Sequence, residues 1–209
     1  MNFDALKQEL VYWSAVVRDR PQDANAYVRR GMAHFKLAQV EESIHDFDQA
    51  ERLEPHLTPH LWQRGLSFYY VDRFADGARQ FETDLTVNRQ DAEETLWRYL
   101  CIARLEGIAA ASTTLLPASH DPRHYMRQIY DLFAGVCDAA TLLSTSDRDG
   151  SKGQFYRHLY VGLYHEAQGN PDQAKEHILM AVHDYPLLND YMWHLAWVHQ
   201  QLRGWQLTP

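Results

Sequence analysis

Apolar positions recur at helical spacing along almost the whole chain, and strand-like alternation is nearly absent. In residues 3–18, Leu6, Leu10, Trp13 and Val17 share one face, the pattern of an amphipathic helix that Arg20-Pro21 ends. Residues 24–38 and 41–53 read as a helix pair closed by Glu54-Pro55. Residues 59–71 and 74–87 read as a second pair. Residues 91–106 and 108–116 read as a third, with Gly107 at the turn and Pro117 as the stop. Asp121-Pro122 predicts a helix start, with Asp as the cap and Pro as the first helical residue, opening a helix over 121–133. Another is expected over 135–143. Ser144 to Gly153 is polar and Gly-containing, the composition of a long mobile loop. Residues 154–168 and 171–184 form a further pair ending at Tyr185-Pro186, and a last helix covers 190–203.

A step of 34 residues runs through the first half of this pattern. Gly31 recurs as Gly65, Phe47 as Phe81, and Arg30 as Arg64 and Arg98, while Ala33, Ser67 and Cys101 form a column of small residues. Such a period marks a helix–turn–helix solenoid. The glycines have no side chain, so the paired helix can approach closely there. Phe47 and Phe81 are expected to fill the space between one pair and the next. The period holds from Pro21 to about Leu105 and fails between Gly107 and Gly153.

These columns resemble tetratricopeptide repeats. The first repeat supplies Tyr27, Gly31, Ala33, Phe35, Ser43, Phe47, Ala50 and Pro55. The second supplies Leu61, Gly65, Ser67, Tyr69, Gly77 and Phe81, with Asp84 and Arg89 where the family has Ala and Pro. The third keeps Thr95, Tyr99, Cys101 and Leu105, and Gly162, Gly169, Ala174, Ala181 and Pro186 mark another. The matches cover 24–57, 58–91 and 155–188, with 92–116 degenerate. The resemblance implies an all-α, right-handed superhelix forming a single domain over 1–209. Its parts are a leading helix (1–20), three repeats (24–116), an off-period insertion and loop (121–153), a further repeat (154–188) and a capping helix (190–203). It also implies a protein or peptide partner, held in a concave groove lined by the first helix of each pair. Carried over, that groove comprises Arg29, Met32, Phe35, Trp62, Gln63, Leu66, Tyr69, Tyr70, Trp97, Leu100 and Arg104. The Lys and Asn residues with which one subfamily clamps a C-terminal carboxylate are replaced by Val28, Met32, Trp62 and Leu66. An aromatic, apolar groove suits a segment with apolar anchors.

Composition narrows the partner. The chain has 209 residues, 45% hydrophobic and 23% charged, ordinary for a folded protein. A net charge of −8 argues against nucleic acid or an anionic membrane as partner, since both call for a basic face. The N-terminus MNFDALKQEL lacks a basic-then-apolar run, and no stretch approaches membrane-spanning length, so a cytoplasmic protein is expected. Cys101 and Cys137 have neither metal nor disulfide spacing and read as reduced thiols.

Several constellations invite chemistry. Arg30, Arg64 and Arg98 could form a cationic ladder, but Arg30 precedes Asp46 by the distance a hairpin brings together, so structural pairing is the expectation. The 12 histidines include no HExxH; His158 and His165 could share a helix face across Gly162. A metal site needs several convergent ligands, and neither metal nor cofactor is expected. The alternative to an adaptor is an enzyme or metal-binding regulator around Glu93, Glu94, Arg98, His120, Arg123 and His124. The simpler reading makes Glu93 and Glu94 first-turn residues and Asp121 a cap. Trp193, Trp197 and Trp205 offer an aromatic surface at the C-terminal end, where a second copy of the chain could dock.

Overall fold

Hairpins of helices form because each apolar stripe is too long to stay in water and each break is a short turn. The structure is a computed structural model that describes residues 3–118, 120–145, 149–187 and 189–206. It is all-α, with no strand among the described residues, and none of their helices is long and apolar enough to cross a membrane. The helices pack as neighbours in two compact units, Met1–Val87 and Asn88–Pro209.

The first unit holds α1 (Phe3–Asp19), α2 (Ala24–Lys36), α3 (Val40–Leu53), α4 (Trp62–Tyr70) and α5 (Phe74–Asp84), each packed on the next. Asp23 caps α2, its carboxylate accepting from the Ala26 amide at 3.1 Å. Between α3 and α4, Pro55–His60 forms a 3-10 turn with Pro59 inside it, so α4 begins three residues later than the sequence suggests. Phe35, Phe47, Leu66, Tyr69 and Phe81 form its buried centre. The glycine columns do what their spacing predicts. A Cβ at Gly31 would lie 3.2 Å from the Phe47 ring, and one at Gly65 would lie 2.7 Å from Phe81 Cζ. Each phenylalanine covers the glycine of its own pair.

The second unit holds α6 (Ala92–Glu106), α7 (Ile108–Thr113), α8 (His124–Phe133), α9 (Ala139–Ser144), α10 (Gly150–Ala167), α11 (Pro171–His183) and α12 (Tyr191–Leu202). Here α10 is central and touches α6, α8, α9 and α11. Trp97, Tyr99, Phe133, Phe155 and Tyr160 fill its core, with Tyr99 edge-on to Phe133 at 5.2 Å. At Gly162 a Cβ would lie 2.8 Å from Ile178 Cγ1, the same close approach as in the first unit.

The off-period stretch departs from the sequence reading in detail. Arg123, not Asp121, is the cap residue of α8, and Pro122 precedes the helix. Asp121 instead accepts from the Ala92 amide at 3.0 Å, so it satisfies the N-terminus of α6. Helix α9 starts at Ala139 because Gly135 takes φ +72° and Asp138 caps the Thr141 amide at 2.8 Å. Of the expected loop from Ser144 to Gly153, residues 150–153 are helical and 146–148 lie outside the described residues.

Candidate functional site

Three hairpins share one construction. In α2–α3, α4–α5 and α10–α11, the glycine of the first helix faces a bulky residue sixteen positions on: Phe47, Phe81 and Ile178. Seven positions after each glycine, the turn passes through a left-handed residue: Ala38 (φ 59°), Asp72 (φ 57°) and Gly169 (φ 76°). Each turn then closes with the same bond, from Gln39 N–H to His34 C=O, Arg73 N–H to Phe68 C=O and Asn170 N–H to His165 C=O. The 34-residue echo is therefore a repeated backbone as well as a repeated composition.

The arginine column obeys the same register. Arg30 grips Asp46 bidentately at 2.6 and 2.7 Å. Arg64 donates to Gln80 at 2.7 and 2.9 Å and adds Glu51 at 2.7 Å and Asp48 at 3.0 Å. Arg98 donates to the Thr114 carbonyl at 2.8 Å. All three partners at the repeated offset lie 16 residues on. The column pairs internally rather than forming an anion ladder.

Burial sorts the residues carried over to the groove. Arg29 and Arg104 are exposed, and Met32 and Trp62 are half-buried. Phe35, Gln63, Leu66, Tyr69, Tyr70, Trp97 and Leu100 are buried. Gln63 Nε2 reaches Met32 Sδ at 3.8 Å, so Met32 of α2 lies beside the first turn of α4, which carries Trp62. In the first unit, Arg29, Met32 and Trp62 are thus the members of the set that reach the surface, and the others are buried. At the C-terminal end, Trp193 is buried and donates its indole N–H to the Val182 carbonyl at 3.1 Å. Trp197 and Trp205 are half-buried, Trp205 lying against the His199 ring at 5.2 Å.

Of the six residues proposed for an enzyme-like site, the structure brings two into one cluster. Arg123 donates to Glu93 at 2.7 Å, to Asp91 at 3.0 Å, and to both oxygens of Asp121 at 2.7 and 2.9 Å. Tyr160 donates to the other Glu93 oxygen at 2.9 Å. His124 turns to Asp149 at 3.1 Å, Arg98 to Thr114, and His120 is exposed. Glu94 sits in the first turn of α6, its amide capped by Asp91 and its side chain accepting from Asn88 at 3.3 Å. Three members are added, Asp91, Asp121 and Tyr160; the sequence marks Asp121 as a helix cap, whereas Asp91 and Tyr160 carry no motif that sequence reading would isolate.

Electrostatics distinguishes the carboxylates. Burial pushes Glu93 up to about 7 despite the Arg123 charge, with Asp91 adding to the rise. Asp121 is also raised by burial, but Arg123 and the Ala92 and Arg123 amides outweigh it and hold it below the usual carboxylate range. Burial and the Glu93 charge drive the Tyr160 hydroxyl well up. Each Glu93 oxygen accepts a hydrogen bond, one from Arg123 and the other from Tyr160. The cluster acts as a brace tying the start of α6 to α10 and to the segment before α8. Nearby, Lys152, Pro186, Leu187, Asn189 and Asp190 line a shallow depression beside Tyr156, whose hydroxyl is 3.3 Å from Asp190.

Comparison with known proteins adds one coarse likeness. No family model matches the chain. A stretch of 85 residues is 25% identical to the protein named Protein SGT1 homolog of Bos taurus, covering 41% of this chain. The aligned stretch is 25% of that protein's length.

Proposed function

We propose that this chain is a tetratricopeptide-like adaptor whose helix pairs stack into a right-handed superhelix and hold a protein or peptide segment. The observation that carries the reading is the shared construction of the α2–α3, α4–α5 and α10–α11 hairpins, in glycine contact, left-handed turn and closing bond. The likeness to the bovine SGT1 homolog, a protein with a tetratricopeptide domain, supports it. The partner segment docks on the first-helix surface of the first unit, with Trp62 and Met32 as apolar contacts and Arg29 as a donor at the rim. The occupied Glu93 oxygens favour this over the enzyme reading.

The test is a capture experiment from native extract with wild-type chain and Trp62→Ala side by side, read with a thermal melt of each. The expected result is a partner retained by the wild type and lost by the variant, with helicity and melting behaviour preserved. An unfolded variant would place Trp62 in the core, and an identical captured set would move the docking surface elsewhere.

A further inference from the structure

Helix α10 carries His158 and His165 two turns apart with Gly162 between them, and α11 carries His177. The close approach at Gly162 brings α11 against α10, and His177 comes to meet His158. The two Nδ1 atoms lie 3.1 Å apart, with ring centroids at 5.2 Å. His165 stacks on His177 at 5.9 Å and 13°, and Tyr185 stacks on His158 at 5.3 Å and 14°. Both facing histidines are half-buried, so an ion with its water can reach them.

We propose that His158 and His177 form a two-imidazole site for a divalent transition cation of the zinc and copper class, with water completing its coordination. Two bonds of ~2.0–2.1 Å to a common ion, across this Nδ1 separation, subtend about 98° at the metal. That angle lies between the square-planar and tetrahedral values that imidazole-bound copper and zinc adopt. The ring chemistry agrees. Burial lowers His158 to about 4, with His177 adding to the drop, and burial lowers His177 as well, so both rings are neutral ligands at pH 7. Asp184 beside His158 and Glu176 beside His177 and His165 supply the compensating negative field. His165 is stacked rather than convergent, and no group of three metal-ligating side chains occurs among the described residues. The site is therefore open and exchangeable, and the fold does not depend on its metal. Its residues belong to the second unit and share no member with Arg29, Met32 and Trp62 of the first, so it holds or fails independently of the docking surface.

The experiment uses the full chain without an affinity tag, stripped with chelator and titrated calorimetrically with copper(II) and with zinc(II). One ion per chain is expected, copper binding more tightly than zinc. His158→Gln and His177→Gln each weaken it at least tenfold, while His165→Gln and the exposed His56→Gln leave it unchanged. Circular dichroism confirms that each variant is folded. Imidazole nitrogen spectra of the wild type with zinc need no variant: the Nδ1 signals of His158 and His177 move, and those of the other histidines do not. Unaltered binding in His177→Gln, loss in His56→Gln, or movement of a different set of nitrogens overturns the site and leaves a proton-sharing histidine pair.

Discussion

Asp84 stands where the tetratricopeptide pattern has alanine, and the protein buries it. It is fully buried; Gln80 donates to one oxygen at 2.7 Å, and the other has no hydrogen-bond partner among the described residues. Burial raises it from 3.8 to about 7, against the opposing pull of Gln80 and Arg64. A raised carboxylate favours the folded state below its unfolded value and loses that benefit as pH climbs through the folded value. Asp84→Asn keeps the acceptor and removes the charge. It is expected to stabilise the first unit by on the order of 2–4 kcal/mol at pH 8 and to change little at pH 4, as read from denaturant midpoints at both pH values. At this scale the sequence showed that Asp84 breaks the pattern, but not that its second oxygen would be left without a partner.

The hairpin is the element in which sequence and structure agree most closely. Its register is set by contacts within one pair, glycine against aromatic and arginine against its partner, and such contacts leave a fixed spacing in the chain. A glycine in mid-helix costs about 1 kcal/mol relative to alanine, so alanine would be gained for free wherever it fitted. It does not fit at Gly65, where the new Cβ would stand 2.7 Å from a Phe81 ring that is 1% exposed and has no room to swing. At Gly31 the nearest atoms are at 3.2 Å, a gap closed by a shift of a few tenths of an ångström. Gly65→Ala is therefore expected to be less stable than Gly31→Ala by about 1 kcal/mol, checked by paired chemical denaturation. Off-period elements were less legible. Asp121-Pro122 has every local mark of a helix start, yet the Asp121 carboxylate is drawn to Ala92 and Arg123. Local chemistry named the right side chain as a cap and the wrong helix as its recipient. Likewise His177 meets His158 through a packing that no spacing within α10 could reveal.

Across the whole molecule, the two units carry opposite responses to acid. The second unit buries histidines: His158 and His199 are both lowered to about 4 by burial, with His177 adding to the effect at His158 and Glu166 opposing it at His199. A lowered histidine stabilises the fold above its unfolded value of 6.5, and that contribution is lost as pH falls toward 4. Glu93, raised to about 7, acts in the reverse sense, but one carboxyl faces two strongly shifted imidazoles. Taking the chain from pH 7.5 to pH 5 is thus expected to loosen residues 88–209 and tighten residues 1–87, where Asp84 dominates. Amide exchange corrected for its intrinsic pH dependence checks this, with protection falling in α10 and α11 and rising in α5. Apolar positions at helical spacing placed the helices of both units, and the repeat step those of the paired hairpins, whereas these buried charges were not legible because burial depends on neighbours distant in sequence.

The Arg123 brace also bears on the order in which structure can assemble. A hairpin joined across 16 residues closes a short loop at a small entropic cost. Asp91 caps the Glu94 amide locally, but the Ala92 amide waits on Asp121, 29 residues away, and Glu93 waits on Tyr160, 67 residues away. Those bonds can close only after α8 and α10 have returned to α6, so the start of α6 is among the last parts of its unit to become fixed during folding.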